Sequence, residues 1–260
     1  MNALLGRSLA NGKIEMMDDK LLIGKTVLVT GAARRVGHLL ALACAQAGAD
    51  VIVHHGHSPD EAAQTQIEIE ALGRRAWVLA ADLEKSIEVS QLIFDAGQIA
   101  PLYALVNNAA IFEPLSLQNT TLAEWNRHLA INLTAPFLLG QAFAERFAEN
   151  GKGRIVNILD WRALRPGADH FPYTISKAAL AALTKSMAVA LAPRISVNGL
   201  ALGAVLPPSD GEASPAIIEN VPLQRWSREE EVQQALIFLL AGPAYVTGEI
   251  IHADGGRHLI

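Results

Sequence analysis

A single α/β domain with a doubly wound parallel sheet is predicted from residue 21 to the C-terminus, on three observations. From Lys25 onward, short β-branched runs alternate with longer stretches of 3.6-residue periodicity, the pattern of buried strands and the helices that cover them. Gly48, Gly73 and Gly151 fall where helices should end. The first strand also runs through a glycine-flanked turn, Gly31-Ala-Ala-Arg-Arg-Val-Gly37, straight into a helix.

The elements follow in order. Strands are predicted at 25–30, 50–55, 75–80, 102–107, 154–159, 194–198 and 249–252, seven in all. Helices are predicted at 35–47, 59–72, 86–97, 122–149, 173–192 and 228–241. The first helix carries Val36, Leu39, Leu40, Ala43, Cys44 and Ala47 on one face. Residues 204–221, with Pro207-Pro208 and Asp210-Gly211, read as a turn-rich loop covering a substrate, and not as a strand. Residues 166–172 read as its opposite wall, with Trp161, Leu164 and His170 as candidates to line it. In such a sheet, ligands bind at the carboxyl ends of the strands.

Composition removes several classes. Of the 260 residues, 51% are hydrophobic and 18% charged, which excludes general disorder; aromatics at 5% leave an aliphatic core. A net charge of −5 argues against nucleic-acid affinity. The single cysteine, Cys44, excludes an internal disulfide and reads as a buried structural thiol. The eight histidines show no metal-ligand spacing. No run of apolar residues reaches the length of a membrane span. Residues 1–20 lack the basic-then-apolar order of a signal peptide; they read as an extension, with Met16 or Met17 as alternative starts, and the expected location is cytoplasmic.

The glycine turn predicts a dinucleotide site of the Rossmann type. Gly31 permits a tight turn and Gly37 lets helix and strand pack closely, so the helix N-terminus faces a pyrophosphate. Arg35 stands where a middle glycine is usual, so its side chain projects over the phosphates and toward a substrate, with Arg34 beside it. The second strand ends in Val51-Ile-Val-His-His-Gly-His-Ser58 with no carboxylate for a ribose diol. Histidine and hydroxyl donors there, with Arg34 near, favour NADPH over NADH. At least one of His54 and His55 is expected to be a surface residue. Asp82, before Leu83, either accepts from the adenine amino group or caps the helix starting near Ser86.

Tyr173 and Lys177 are four apart on one face of a helix. A reductase needs a proton donor for the atom left negative when hydride reaches carbon, and a phenol near pKa 10 is a weak one. The neighbouring ammonium is expected to lower that pKa, and to hold the nicotinamide ribose as well.

Thr30-Gly31-x-x-x-Arg35-x-Gly37, Asn107-Asn108-Ala109, Asn132, Tyr173-x-x-x-Lys177 and Asp254-Gly255-Gly256 together resemble the short-chain dehydrogenase/reductase family, in order and spacing over about residues 24–260. The resemblance implies a homotetramer, cofactor contacts at Val36, Leu83, Asn108, Ala109 and Gly203, a backbone role for Asn107 near the cofactor, and a water held by Asn132 that feeds protons to Lys177. Most members carry serine thirteen residues before the tyrosine, where this chain has Asp160. Asp160 with Arg35 is similar to the pteridine reductase branch. That branch implies His57 and Ser58 on the 2′-phosphate, and Phe112 stacking a pterin against the nicotinamide. The ending Asp254-Gly-Gly-Arg-His-Leu259 is similar to its bacterial dihydromonapterin and dihydrofolate reductases. Ala110, Gly56 and Leu202 depart from the branch, Leu202 standing where proline is usual before Gly203.

The expectation is therefore NADPH-dependent reduction of a pterin or folate-like C=N bond. Tyr173 coupled to Asp160 would deliver the proton, and Arg35 and Phe112 would hold the heterocycle. A carbonyl or 3-oxoacyl reductase, or an alcohol dehydrogenase, is the alternative within the family. A non-catalytic NADPH-binding regulator is the alternative outside enzymes.

Overall fold

The computed structural model describes residues 20–146, 152–207 and 216–260. Seven parallel strands form one sheet in the order β3-β2-β1-β4-β5-β6-β7: β1 (Thr26–Val29), β2 (Asp50–His55), β3 (Ala76–Ala80), β4 (Ala104–Asn107), β5 (Gly153–Asp160), β6 (Ile195–Leu202) and β7 (Ile250–Ala253). The order reverses between β1 and β4. The carboxyl ends of these two strands therefore open onto a crevice with no crossover helix between them.

Strand side chains alternate between two apolar layers, which is why the strands read as continuous hydrophobic runs. Val27, Val29, Val51, Val53, Val106 and Val156 pack with helices α1 (Arg35–Gln46), α2 (Pro59–Ala71) and α8 (Glu229–Ala241). Leu28, Ile52, Leu105, Ile155 and Val197 pack on the other face with α3 (Ser86–Ile99) and α5 (Ala135–Arg146). Each fully buried aliphatic side chain in these layers contributes about 1.5–3 kcal/mol. Cys44 is fully buried on α1, and burial pushes its thiol up to about 12. Gly48 and Gly73 follow the last turns of α1 and α2, whereas Gly151 lies outside the described residues.

Three expectations need correction. The stretch expected as one helix over 122–149 is α4 (Leu122–Leu129), a π-helical turn (Ala130–Thr134) and α5. Apolar periodicity does not register one extra residue in a turn, and that residue is how the chain aims Asn132 inward. The sixth strand does not stop at Asn198 but runs to Leu202, paired with Asp160 on one side and Ala253 on the other. Neither His54 nor His55 is a surface residue; both are buried. By length and composition alone, α6 (Phe171–Leu191) could cross a membrane. It nonetheless buries Tyr173, Thr174, Ser176, Lys177 and Thr184, and packs on β5 and β6 as a core helix.

In the loop after β6, residues 204–207 and 216–221 contain no strand; a short helix α7 (Ala216–Glu219) lies within it. Pro208, Asp210 and Gly211 lie outside the described residues, as do residues 1–19. The loop is anchored where it re-enters the fold. Ser227 N donates to Ala204 O (2.9 Å) and Leu223 N to Gly255 O (3.2 Å).

Candidate active site

The turn after β1 is held in shape by its neighbours across the crevice. Thr30 Oγ1 accepts from the main-chain N–H of Asn108 (3.0 Å) and Ala109 (3.1 Å). The Asn108 side chain donates to the carbonyls of Thr30 (2.8 Å) and Gly31 (3.2 Å). Gly31 has φ +62°, and a Cβ there would stand 3.0 Å from Ala109 Cα. At Gly37 a Cβ would run into the Gly31 carbonyl oxygen. Gly37 is thus required by contact with backbone, and Gly31 by its positive φ beside a tight backbone neighbour.

At the start of α1, Arg34 makes no side-chain cap and no acidic residue occupies the first turn. The N–H groups of Arg35, Val36 and Gly37 therefore have no helical carbonyl behind them, and the positive end of the helix dipole is uncompensated. Arg35 has φ +54°, which costs a non-glycine residue about 1–3 kcal/mol and explains why glycine is usual here. Its Nη2 donates to Pro207 O (2.9 Å), so the side chain links the phosphate turn to the start of the loop after β6.

His54 lies under this turn. Its Nδ1 accepts from Gly31 N (3.1 Å), and its Nε2 donates to Ala81 O (3.1 Å). One neutral imidazole thereby joins the glycine turn, the end of β2 and the segment after β3. Burial lowers its pKa from 6.5 to about 4. Above pH 6.5 both folded and unfolded forms are neutral, and the stability held there is lost as pH falls toward about 4, because the unfolded chain takes up a proton that the fold refuses. The loss amounts to about 3 kcal/mol. Denaturant melts at about pH 7 and about pH 4 check it: the wild type should lose roughly that much more than His54→Asn.

The expected adenosine-side residues follow the ends of β2 and β3. His57 is exposed, and Ser58 caps the start of α2 in position without spending its hydroxyl on the helix. Asp82 does not cap α3, whose N-cap is Lys85. One Asp82 oxygen accepts from Glu84 N (3.0 Å), the other faces Lys85 Nζ (3.4 Å), and these contacts hold its carboxyl below the ordinary range. Leu83 is buried.

Asp160, Tyr173 and Lys177 meet where β5 ends and α6 begins. Tyr173 OH donates to Asp160 Oδ2 at 3.2 Å. Burial is the main cause raising the Tyr173 pKa well above 10, and Asp160 raises it further. This corrects the expectation that Lys177 lowers it. The lysine Nζ donates instead to Ile158 O (2.7 Å) and stands 5.7 Å from the centre of the phenol ring, and burial brings its own pKa down to about 8. Burial also raises the Asp160 carboxyl, against the pull of Arg162 N–H and the nearby cations. The phenol therefore keeps its proton at neutral pH, beside a carboxyl whose own pKa burial raises above the ordinary range.

Asn132 is fully buried. Its Oδ1 accepts from Ile111 N (2.9 Å), and its Nδ2 donates to Ile111 O (3.0 Å) and Ser176 Oγ (3.0 Å). Both amide hydrogens are spent on clipping the segment after β4 to α6, so the side chain offers a water only a remaining lone pair on Oδ1. Asn107 donates to Asn157 Oδ1 (2.8 Å) beneath the crevice. Gly203 N donates to Ala253 O (3.2 Å) at the end of β6.

Phe112 is half exposed and meets Tyr173 edge-on, with ring centroids 4.6 Å apart. The His170 ring stacks on it at 3.7 Å and 10°. A flat ligand on Phe112 must take the opposite face or displace His170. Leu164 is exposed nearby, whereas Trp161 is half-buried between arginines.

Arg162 was missed by the sequence reading. It donates Nη2 to Asp169 Oδ2 (2.7 Å) and lies 3.6 Å from Asp160. The one available signal was its place two residues after Asp160.

The chain matches known proteins along most of its length. The profile of the short chain dehydrogenases matches residues 25–217. A 3-oxoacyl-[acyl-carrier-protein] reductase of Synechocystis is 32% identical over 240 residues, covering 90% of this chain and 97% of the relative. A gluconate 5-dehydrogenase of Gluconobacter oxydans is 31% identical, covering 90% and 95%. Among solved structures, FolM alternative dihydrofolate reductase 1 of Brucella canis, complexed with NADP, superposes with a TM-score of 0.87 at 34% identity, covering 93% of this chain and 96% of that one.

Proposed function

The chain belongs to the short chain dehydrogenase family of oxidoreductases, and on that premise we propose that it is an NADPH-dependent reductase of a pterin or folate-like C=N bond. The observation that carries this reading is the Asp160 carboxylate at 3.2 Å from the Tyr173 hydroxyl. Simple carbonyl reduction is served by a phenol with a lowered pKa, which a carboxylate opposes. A heterocycle with N–H donors and an imine nitrogen needs both an acceptor and a proton, and the Tyr–Asp pair supplies them. The likeness to the Brucella dihydrofolate reductase supports the same reading.

The residues fit NADPH. The uncapped N-terminus of α1, closed over by Gly31 and Gly37, suits a pyrophosphate. Arg34, His57 and the free Ser58 hydroxyl suit a 2′-phosphate, Asp82 and Leu83 an adenine, and Asn108, Ala109, Lys177 and Gly203 the nicotinamide end. When bound, NADPH supplies hydride to the imine carbon. Tyr173 passes its proton to the nitrogen, Asp160 accepts from the substrate N–H groups and steadies the phenol, and Lys177 holds the ribose. Arg35 and Phe112 flank the ring.

The 3-oxoacyl reductase relative favours a second reading, C=O reduction at the same Tyr173. Loss of nicotinamide absorbance with dihydrobiopterin, dihydrofolate and a 3-oxo ester separates them. The pterins are expected to turn over and the ester to be poor. Good ester turnover with no pterin turnover would sink the pterin reading.

A further inference from the structure

Two guanidinium groups stand beside the same ring next to the catalytic pair. Arg162 Cζ is 4.6 Å and Arg257 Cζ 4.9 Å from the centre of the Trp161 ring, and Trp161 follows Asp160 in the chain. The two are not equivalent. The carboxylates in reach, Asp160 and Asp169, are both turned to Arg162. Among the described residues, the Arg257 side chain has no ion pair and no hydrogen bond, and its Nη1 is buried without a partner, as is Arg162 Nε. Burial, Arg162 and Arg165 all act to lower the Arg257 pKa.

A cationic donor withdrawn from water and left unmatched is costly, and buried donors of this kind are otherwise almost always satisfied. The position of this one matters more than its cost. It shares its indole with Arg162, the arginine that lies 3.6 Å from Asp160 of the catalytic pair. Guanidinium pairs favour carboxylates, which they bind with charge-assisted hydrogen bonds.

We propose that Arg257, with Arg162 beside the same Trp161 ring, receives a carboxylate carried by the substrate on its non-reacting side, so that the chain selects acid-tailed substrates over neutral ones. The identity of the reacting ring rests on the function proposed above; the anion preference does not.

The test compares dihydrofolate, which carries a glutamate tail, with dihydrobiopterin, which carries none. In Arg257→Gln, the ratio of kcat/KM for dihydrofolate to that for dihydrobiopterin should fall about tenfold to a hundredfold, as expected for loss of a hydrogen bond to a charged group. Most of the change should lie in KM, and Arg257→Lys, which keeps the charge, should restore part of the ratio. An unchanged ratio overturns the proposal. In parallel, calorimetric titration of wild type and both variants with p-aminobenzoylglutamate, a tail without a pterin, requires no turnover. Weaker binding to Arg257→Gln than to Arg257→Lys supports the anion site even if no pterin is reduced. Equal or undetectable binding overturns it. Failure to reduce any pterin, with tail binding intact, counts against the proposed reaction alone.

Discussion

Tyr173→Phe should lower kcat for pterin reduction by about 10²–10⁴-fold, the usual worth of a positioned proton donor. The substitution removes one oxygen. The ring stays buried and keeps its edge contact with Phe112, so the loss reports on the hydroxyl and not on packing. Asp160 Oδ2 loses its donor in the same step. NADPH affinity, followed by fluorescence titration, should change less than about tenfold, because the phosphate turn is untouched. A kcat within about threefold of the wild type would mean that the proton comes from elsewhere.

Asp160→Ser has the second large effect, and its sign depends on the substrate. Asp160 raises the Tyr173 pKa and also raises that of Lys177. Removing it makes the phenol more acidic, which helps an ordinary ketone, and deprives a pterin of the acceptor for its N–H groups. Pterin kcat/KM should fall by about 10²-fold or more. The pH profile should move as well. Lys177 is charged below about 8 and loses that charge as pH rises, so activity that needs the ammonium declines on the basic side. Without the Asp160 carboxylate the lysine pKa drops further, and the basic limb should shift to lower pH. A limb that stays in place in the variant would exclude this coupling.

The sheet was legible in the sequence because helices cover both faces, which makes each strand a short unbroken apolar run such as Val51-Ile52-Val53. The sixth strand was cut short because Gly199 and Ala201 interrupt its β-branched pattern, while β5 and β7 still pair along it to Leu202. The π-helical turn was hidden because it interrupts a stretch that is helical on both sides. His54 was misread because a polar residue at a strand end ordinarily faces water, and only the structure shows the Gly31 and Ala81 groups that satisfy it below the surface. The chemistry of Tyr173 is visible in the spacing to Lys177 and Asp160, and the upward push of Asp160 on its pKa with it, but burial, the larger cause and in the same direction, leaves no mark in the sequence. Arg257 and Trp161 lie far apart in the chain, and no local pattern announces their contact.

The central claim is that Tyr173 and Asp160 act as one proton-handling unit for a C=N bond. The most direct measurement is the ratio of kcat/KM for dihydrobiopterin to that for a 3-oxo ester, in wild type and in Asp160→Ser. The ratio should favour the pterin in the wild type and fall by about 10²-fold or more in the variant, with ester turnover equal or improved. A variant that loses both activities in proportion, or neither, would contradict it.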